Sequence, residues 1–425
     1  VRTIGFHGWQ AVELDNGFAT VVAVPELGGR IMVYALGGKS PLWLNEALLG
    51  KRFSAEEHMG DGSLASWKNY GGDKTWPAPQ GWEHEGQWHG PPDPVLDTGR
   101  YEVIHLESST GTATVRMRSA PDPRTGVQLV RHLTLAAGTI QLRLKLEMTN
   151  VSDRPRTWSI SDVAQLDTSR RTPEGDLTFS DDALLYIPLN PHSRFPQGYN
   201  VMYGAHDNPQ WQLDRHPGML VAQYQFRLGK IGVDSTAGWV AFAQGTTGLV
   251  FCEHFSYQRD ATYPDGGVSV ECWTTGEGEI VGGVDFGRER LFFMESEILG
   301  PLRTLAPGET QHLDIDFHLA RCPAPVVAVS DLGCVSAPLT AAHTDRLPLQ
   351  GVFGVFAAGQ VELVWYDHRG EERAAERIGA ADPRVPLMIE HASDPPEDAV
   401  RAELRLVEAG GTTGSLARVE VQRTT

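Results

Sequence analysis

The sequence predicts an all-β protein, and three observations predict it. Apolar and polar residues alternate with period two over many short runs, turn-forming residues interrupt those runs, and long helical periodicity is nearly absent. Residues 20–24 (Thr-Val-Val-Ala-Val) and 112–118 (Thr-Ala-Thr-Val-Arg-Met-Arg) read as strands. In residues 141–148, Leu142, Leu144, Leu146 and Met148 face one way while Gln141, Arg143, Lys145 and Glu147 face the other, the mark of a half-buried antiparallel strand. Asp15-Asn16-Gly17, Leu27-Gly28-Gly29, Pro121-Asp122-Pro123, Pro264-Asp265-Gly266-Gly267 and Ala306-Pro307-Gly308 supply the turns. Residues 313–319 read as a closing strand, and Arg321-Cys322-Pro323 marks a boundary. A large all-β unit is therefore expected over residues 1–321. A small one is expected over 322–425, where aromatics thin to Phe353, Phe356, Trp365 and Tyr366.

Composition narrows the function classes. The 425 residues carry a net charge of −18, with 41% hydrophobic and 21% charged residues, an ordinary globular balance. Such an acidic chain lacks the cationic footprint that nucleic acids and anionic membrane surfaces demand, so neither is an expected partner. No run of about 18 uncharged apolar residues is present to span a bilayer. The first residues show no apolar leader, which favours a cytoplasmic location. Oligomeric state is left open. Four cysteines in no metal-binding spacing read as buried thiols, with a Cys252–Cys272 bridge on neighbouring strands as the alternative. No dinucleotide fingerprint, HExxH or GxSxG motif occurs, so no cofactor or metal is expected. His84 and His89 with Glu83 or Glu85 form the weak exception.

The chemistry concentrates in three places. Five of the eleven tryptophans (Trp43, Trp67, Trp76, Trp82, Trp88) fall within residues 43–88. The Gly- and Pro-rich stretch 67–80 reads as a long ordered loop rather than a regular strand. Its indoles suit the apolar faces of sugars, and its Asp, Lys and His suit hydroxyls; a loop that only packs its tryptophans on the sheet is the plainer alternative. In residues 293–301 a strand would point Glu295 and Glu297 to one face, where mutual repulsion raises one pKa and favours acid–base work; a solvated strand face is the alternative. Residues 159–167 place Ser159, Ser161, Val163 and Gln165 on one face and Asp162 on the other. Asp265 sits in a turn it helps to hold.

Several segments then stand together in order: Pro25-Glu26-Leu27-Gly28-Gly29-Arg30-Ile31, Gly71-Gly72-Asp73-Lys74-Thr75-Trp76-Pro77-Ala78-Pro79-Gln80, Val130-Arg131-His132-Leu133-Thr134-Leu135, Met148-Thr149-Asn150-Val151-Ser152, Lys230-Ile231-Gly232 with Gly238-Trp239, Tyr263-Pro264-Asp265-Gly266-Gly267, Met294-Glu295-Ser296-Glu297 and Leu305-Ala306-Pro307-Gly308-Glu309. In these the chain resembles the galactose mutarotase-like (aldose 1-epimerase-like) superfamily over roughly residues 5–320. The resemblance implies a β-supersandwich with a sugar cleft on a concave sheet, followed here by a small β-sandwich-like unit. It implies a mono- or oligosaccharide partner and Glu295 as the base that removes the anomeric proton. The family's acid histidine has no counterpart after Asn150, which leaves His89 (or His84) as the substitute acid. Arg30, Asp73, Lys74, Trp76, Asp162, Gln165, Asp265 and Glu297 are the expected sugar-binding residues. The same fold also implies two alternatives. One is a glycoside hydrolase or polysaccharide lyase, needing a carboxyl distant from Glu295, such as Asp162 or Asp265. The other is a non-catalytic sugar-binding protein. A basic cleft built from Arg30, Lys68 and Lys74 would admit polyanionic glycans despite the net charge.

Overall fold

Two large antiparallel sheets account for most of the chain in the computed structural model, which describes residues 1–278, 286–341, 347–408 and 410–421. Among the described residues the first sheet runs, in spatial order, Arg2–Phe6, Trp9–Asp15, Ala19–Val24, Arg30–Leu36, Asp73–Ala78, Arg156–Asp167, Phe293–Leu299, Val270–Thr274, Gly229–Val233 and Asn200–Gly204. Arg303–Leu305 joins the start of Arg156–Asp167. The second sheet runs Trp211–Gln212, Met219–Gln223, Ala183–Pro188, Trp239–Gln244, Leu249–Phe255, Thr310–Arg321, Leu142–Asn150, Val127–Ala136, Thr112–Arg118 and Glu102–Ser108. The all-β class and the layered arrangement agree with the sequence expectation.

The alternation read from residues 141–148 works as expected: Leu142, Leu144, Leu146 and Met148 are buried, while Arg143 and Lys145 face solvent. These apolar side chains meet Val21, Ile31, Tyr34 and Ile160 from the first sheet in one core. Tyr34 ties the layers directly. Its hydroxyl donates to the carbonyls of Ile140 (2.5 Å) and Phe317 (3.0 Å), and burial raises its pKa well above the ordinary phenol value.

One expectation is corrected in the loop at 67–80. The segment contains a six-residue strand, Asp73–Ala78, near the middle of the first sheet. Proline is tolerated because Arg30–Leu36 pairs with this strand only at Ile31↔Asp73, so Pro77 lies where that side carries no ladder. Gly71 and Gly72, at φ +87° and +76°, lead the chain into the sheet; a Cβ would strike the carbonyls of Trp43 and Ile31 respectively.

Ser169–Arg171 and Leu177–Phe179 pair as a two-stranded ribbon, and the remaining strands form two four-stranded sheets, Ala328–Ser330, Gly333–Ala341, Leu347–Val355, Leu387–Ser393 and Glu372–Ala381, Gly359–Asp367, Ala399–Glu408, Thr413–Glu420. They close over their own apolar cluster, which includes Phe353, Leu363, Trp365 and Leu404. Cys322, Val326, Cys334 and Phe356 pack into the large core instead, so the apolar interior is continuous across residues 321–334. All four cysteines are free and buried. Cys252 and Cys272 stand on different sheets, which removes the neighbouring-strand geometry that a bridge between them required. No helix among the described residues is long and apolar enough to cross a membrane.

Tyr34→Phe leaves two buried carbonyls without their donor. It is expected to destabilise the fold by about 1–3 kcal/mol without changing the far-ultraviolet circular dichroism, as a urea-unfolding comparison will show.

Candidate functional site

Six adjacent strands of the first sheet, from Asp73–Ala78 to Asn200–Gly204, shape the site; the first three carry polar residues on both faces, and the register sorts those residues into two separate systems. On the outer face, one transverse row reads Gln165, Glu295, Trp273, Lys230, Tyr203 across paired strands. The next row reads Lys74, Val163, Glu297, Glu271, Gly232. On the inner face, between the sheets, lie Asp73, Thr75, Asp162 and Ser296.

The outer face floors a cleft of about 440 Å³, within the usual range of about 300–1,000 Å³ for small-molecule pockets. Trp67, Trp76, Trp82, Trp273 and Tyr203 wall it, and Glu295, Glu271, Asp265 and Lys230 provide its charged groups. Asp97, absent from the sequence expectations, fixes part of that wall. Its carboxylate accepts the indole N–H of Trp67 (2.8 Å) and of Trp76 (3.0 Å) and pairs with the Arg30 guanidinium. Arg30 also donates to the Gly71 carbonyl at 2.9 Å. Trp67 and Trp76 thus stand edge to face with centroids 6.1 Å apart, and the Lys74 ammonium lies 4.6 Å over Trp76 and 5.9 Å over Trp67.

Glu295 is held from two sides. Gln165 Nε2 donates to its Oε1 at 2.6 Å, and Lys74 Nζ lies 3.3 Å from the same oxygen. Burial lowers the Lys74 pKa, with Glu295 acting in opposition. Beside this pair, Lys230 Nζ lies 2.6 Å from Glu271 and 3.0 Å from Glu297. Burial alone would lower the Lys230 pKa, but these two carboxylates raise it, so it stays an ammonium. Burial pushes Glu297 up to about 8, against the pull of Lys230 and with the push of Glu271 and Glu295. Glu271 and Asp265, which hydrogen-bond each other, are also raised, burial being the leading cause and Lys230 the main opposition.

The structure brings Glu295, Lys74, Trp76, Gln165, Glu297 and Asp265 to one side of the sheet, as a cleft requires. It does not bring four others there. Asp73 and Asp162 point between the sheets because they sit one residue out of phase with Lys74 and Gln165 on their strands. Asp73 pairs with Arg131, and Asp162 accepts from Thr75 Oγ1 at 2.8 Å. Burial, then the charge of Asp73, drives Asp162 well above the carboxylate range. Arg30 has no exposed surface and is committed to Asp97 and Gly71. These three are built into the interior and do not touch the cleft. His89 is exposed, its Nε2 3.3 Å from the His84 carbonyl, and it does not line the cleft. His84 is exposed beside it. The expected basic cleft is absent: Lys68 lies over Phe53 at 5.6 Å, and Lys74 is paired with Glu295. Of the five clustered tryptophans, Trp43 stacks on Phe293 and Trp88 packs in the core, leaving three for the cleft.

Lys230, Glu271, Trp273 and Tyr203 were missed. The signal was a charged residue set in a strand with both faces covered: Gly-Lys-Ile-Gly at 229–232 and Val-Glu-Cys-Trp at 270–273, where polarity on a buried strand demands a partner.

A family model for a domain of unknown function, DUF4380, matches residues 9–316. No curated protein matches the chain. Among solved structures the chain is similar to a protein from Synechocystis, at 15% identity and TM-score 0.45, covering 76% of this chain and 99% of that one. It is similar to a galactose mutarotase-like protein from Lactobacillus casei, at 11% identity and TM-score 0.45, covering 73% and 99%. A galactose mutarotase-like protein from Clostridium acetobutylicum follows at 10% identity and TM-score 0.43, covering 74% and 96%.

Two outcomes are expected from this geometry. Asp97→Asn strands the Arg30 charge in the interior, and should cost about 3–5 kcal/mol and shift the tryptophan fluorescence that reports Trp67 and Trp76. Glu297 keeps its proton up to about 8 when folded but releases it near 4.5 when unfolded. Between those values the folded state binds more protons, so this group's contribution to stability falls as pH rises through the window. Glu297→Gln should flatten that fall, measured by urea unfolding across the same pH range.

Proposed function

The chain belongs to the DUF4380 family, a name that assigns no activity, and we propose that its cleft binds a sugar and catalyses an aldose 1-epimerase-like ring opening on it. One observation carries the reading: Glu295 is fixed by Gln165 and Lys74 at the floor of a cleft whose walls are indole faces. Flat aromatic rings receive the C–H faces of a pyranose, while carboxyl and ammonium groups receive its hydroxyls. The resemblance of the Met294-Glu295-Ser296-Glu297 segment to the mutarotase base points the same way.

In this mechanism Glu295 takes the proton of the anomeric hydroxyl. The bond between the anomeric carbon and the ring oxygen breaks, its electron pair passing to the ring oxygen. Lys230, kept protonated above all by Glu271 at 2.6 Å, supplies the proton that the ring oxygen gains. Rotation about the bond from the aldehyde carbon to its neighbour and reversal of the two transfers gives the other anomer. Lys230 thereby takes the role first assigned to His89. A second reading, a sugar-binding protein without turnover, is favoured by the absence of any histidine from the cleft lining among the described residues.

Proton NMR of freshly dissolved single anomers of glucose and galactose tests this. The protein is expected to speed anomeric equilibration, and Glu295→Gln and Lys230→Met each to slow it by about 10²–10⁴-fold. Unchanged turnover in Glu295→Gln would remove the base assignment. New reducing-end or unsaturated signals from oligosaccharides would move the chemistry to hydrolysis or elimination. Line broadening of a sugar with no faster equilibration would leave the binding reading.

A further inference from the structure

The cleft holds more carboxyls than cations. Glu295, Glu271 and Asp265 line it against Lys230 alone, with Glu297 and Lys74 buried beside them. Both lysines are committed, Lys74 to Glu295 and Lys230 to Glu271 and Glu297. No arginine lines the cleft among the described residues. Arg194, near the turn that carries Asp265, donates to the Gly266 carbonyl at 3.0 Å and lies 3.8 Å from Asp234. Asp265 therefore reaches the cleft sharing a cation that two other carboxylates already hold.

One buried polar atom beside the floor is an uncommitted acceptor as well. Gln165 is fully buried beside Glu295 on the outer face of the sheet, and its Oε1 has no hydrogen-bond partner. A ligand that enters is met chiefly by carboxyls and by aromatic rings. The walls already seat one ammonium, that of Lys74 over Trp76 and Trp67. Next to Asp265 and Glu271, Trp273 and Tyr203 repeat the combination of ring and carboxyl, with centroids 6.0 Å apart.

Resting on the sugar reading of the same cleft, we propose that its preferred ligand is an amino sugar, with the ammonium group seated between Asp265 and Glu271 and the ring against Trp273. Neutral sugars lose the charge contact, and uronic acids meet repulsion from the carboxyls. The raised pKa values of Asp265 and Glu271, caused first by burial, fit this arrangement, since an entering cation favours their charged forms.

Calorimetric titration with D-galactosamine and D-glucosamine, their neutral parents and the matching uronic acids tests it at neutral pH. The amino sugar of a series is expected to bind about tenfold tighter than its parent, and the uronic acid more weakly than either. Asp265→Asn should collapse that ratio toward one; asparagine suits the backbone there, at φ 52°. Glu271→Gln is a second variant on the other carboxyl, and it should narrow the same ratio. A neutral parent or uronic acid that binds as tightly as the amino sugar would overturn the proposal and leave the sugar reading standing. An amino-sugar preference untouched by both variants would overturn the placement. No binding by any sugar would bring down the proposal and the sugar reading together.

Discussion

The Asp97 carboxylate is the node on which the cleft depends. It accepts from Trp67 and Trp76 and neutralises the fully buried Arg30, whose other donor reaches Gly71 at the entrance to the Asp73–Ala78 strand. Three chain segments distant in sequence are thus locked to one group. Two of them set the indole planes that hold the Lys74 ammonium, and that ammonium in turn steadies Glu295. The pair is not a cheap source of stability, because desolvating both ions costs about as much as their attraction returns. What it supplies is fixed orientation. A tryptophan held by apolar contact alone can rotate within its slot; one whose N–H is captured by a buried carboxylate has one setting.

Behind the cleft the same strands carry a second polar system that never meets solvent. Arg131 reaches across from the Val127–Ala136 strand to Asp73 and Asp162, and Ser296 donates to Glu253 of the opposite sheet. The floor of the site is thereby fastened to the layer beneath it by charged hydrogen bonds as well as by apolar contact. A carboxylate on a strand so anchored moves little, which suits the proton transfer proposed for Glu295.

Much of this was legible in the sequence, and the divide is physical. Period-two alternation in residues 141–148 identified the strand Leu142–Asn150 because one face was apolar and the other wet. The shared face of Glu295 and Glu297 followed from strand geometry alone. The side on which Asp73 falls was not legible, because Lys74 beside it is equally polar; Asp162 was legible, since it shares its phase with the apolar Ile160, Ala164 and Leu166 and not with Gln165. Asp97 was invisible for another reason: its partners lie 67, 30 and 21 residues away, and no local pattern records such contacts. Lys230 and Glu271 belong to the same class, since only strand pairing brings them beside Glu297.

Polarity on both faces of the central strands also bears on how the chain finds its register. In most sheets a slip of one residue is rejected because it turns oil outward. In the Asp73–Ala78 strand, buried on both faces, such a slip would put Asp73 where Lys74 belongs, trading one charged residue for another, so apolar burial along this strand separates the two alignments less sharply. What rejects the wrong pairing is charge complementarity. A displaced Lys74 would confront the Arg131 guanidinium, and a displaced Asp73 would lose it. The ion pairs between the sheets therefore act as a proofreading device for strand alignment, one whose discrimination weakens wherever those ions are neutralised before the layers close.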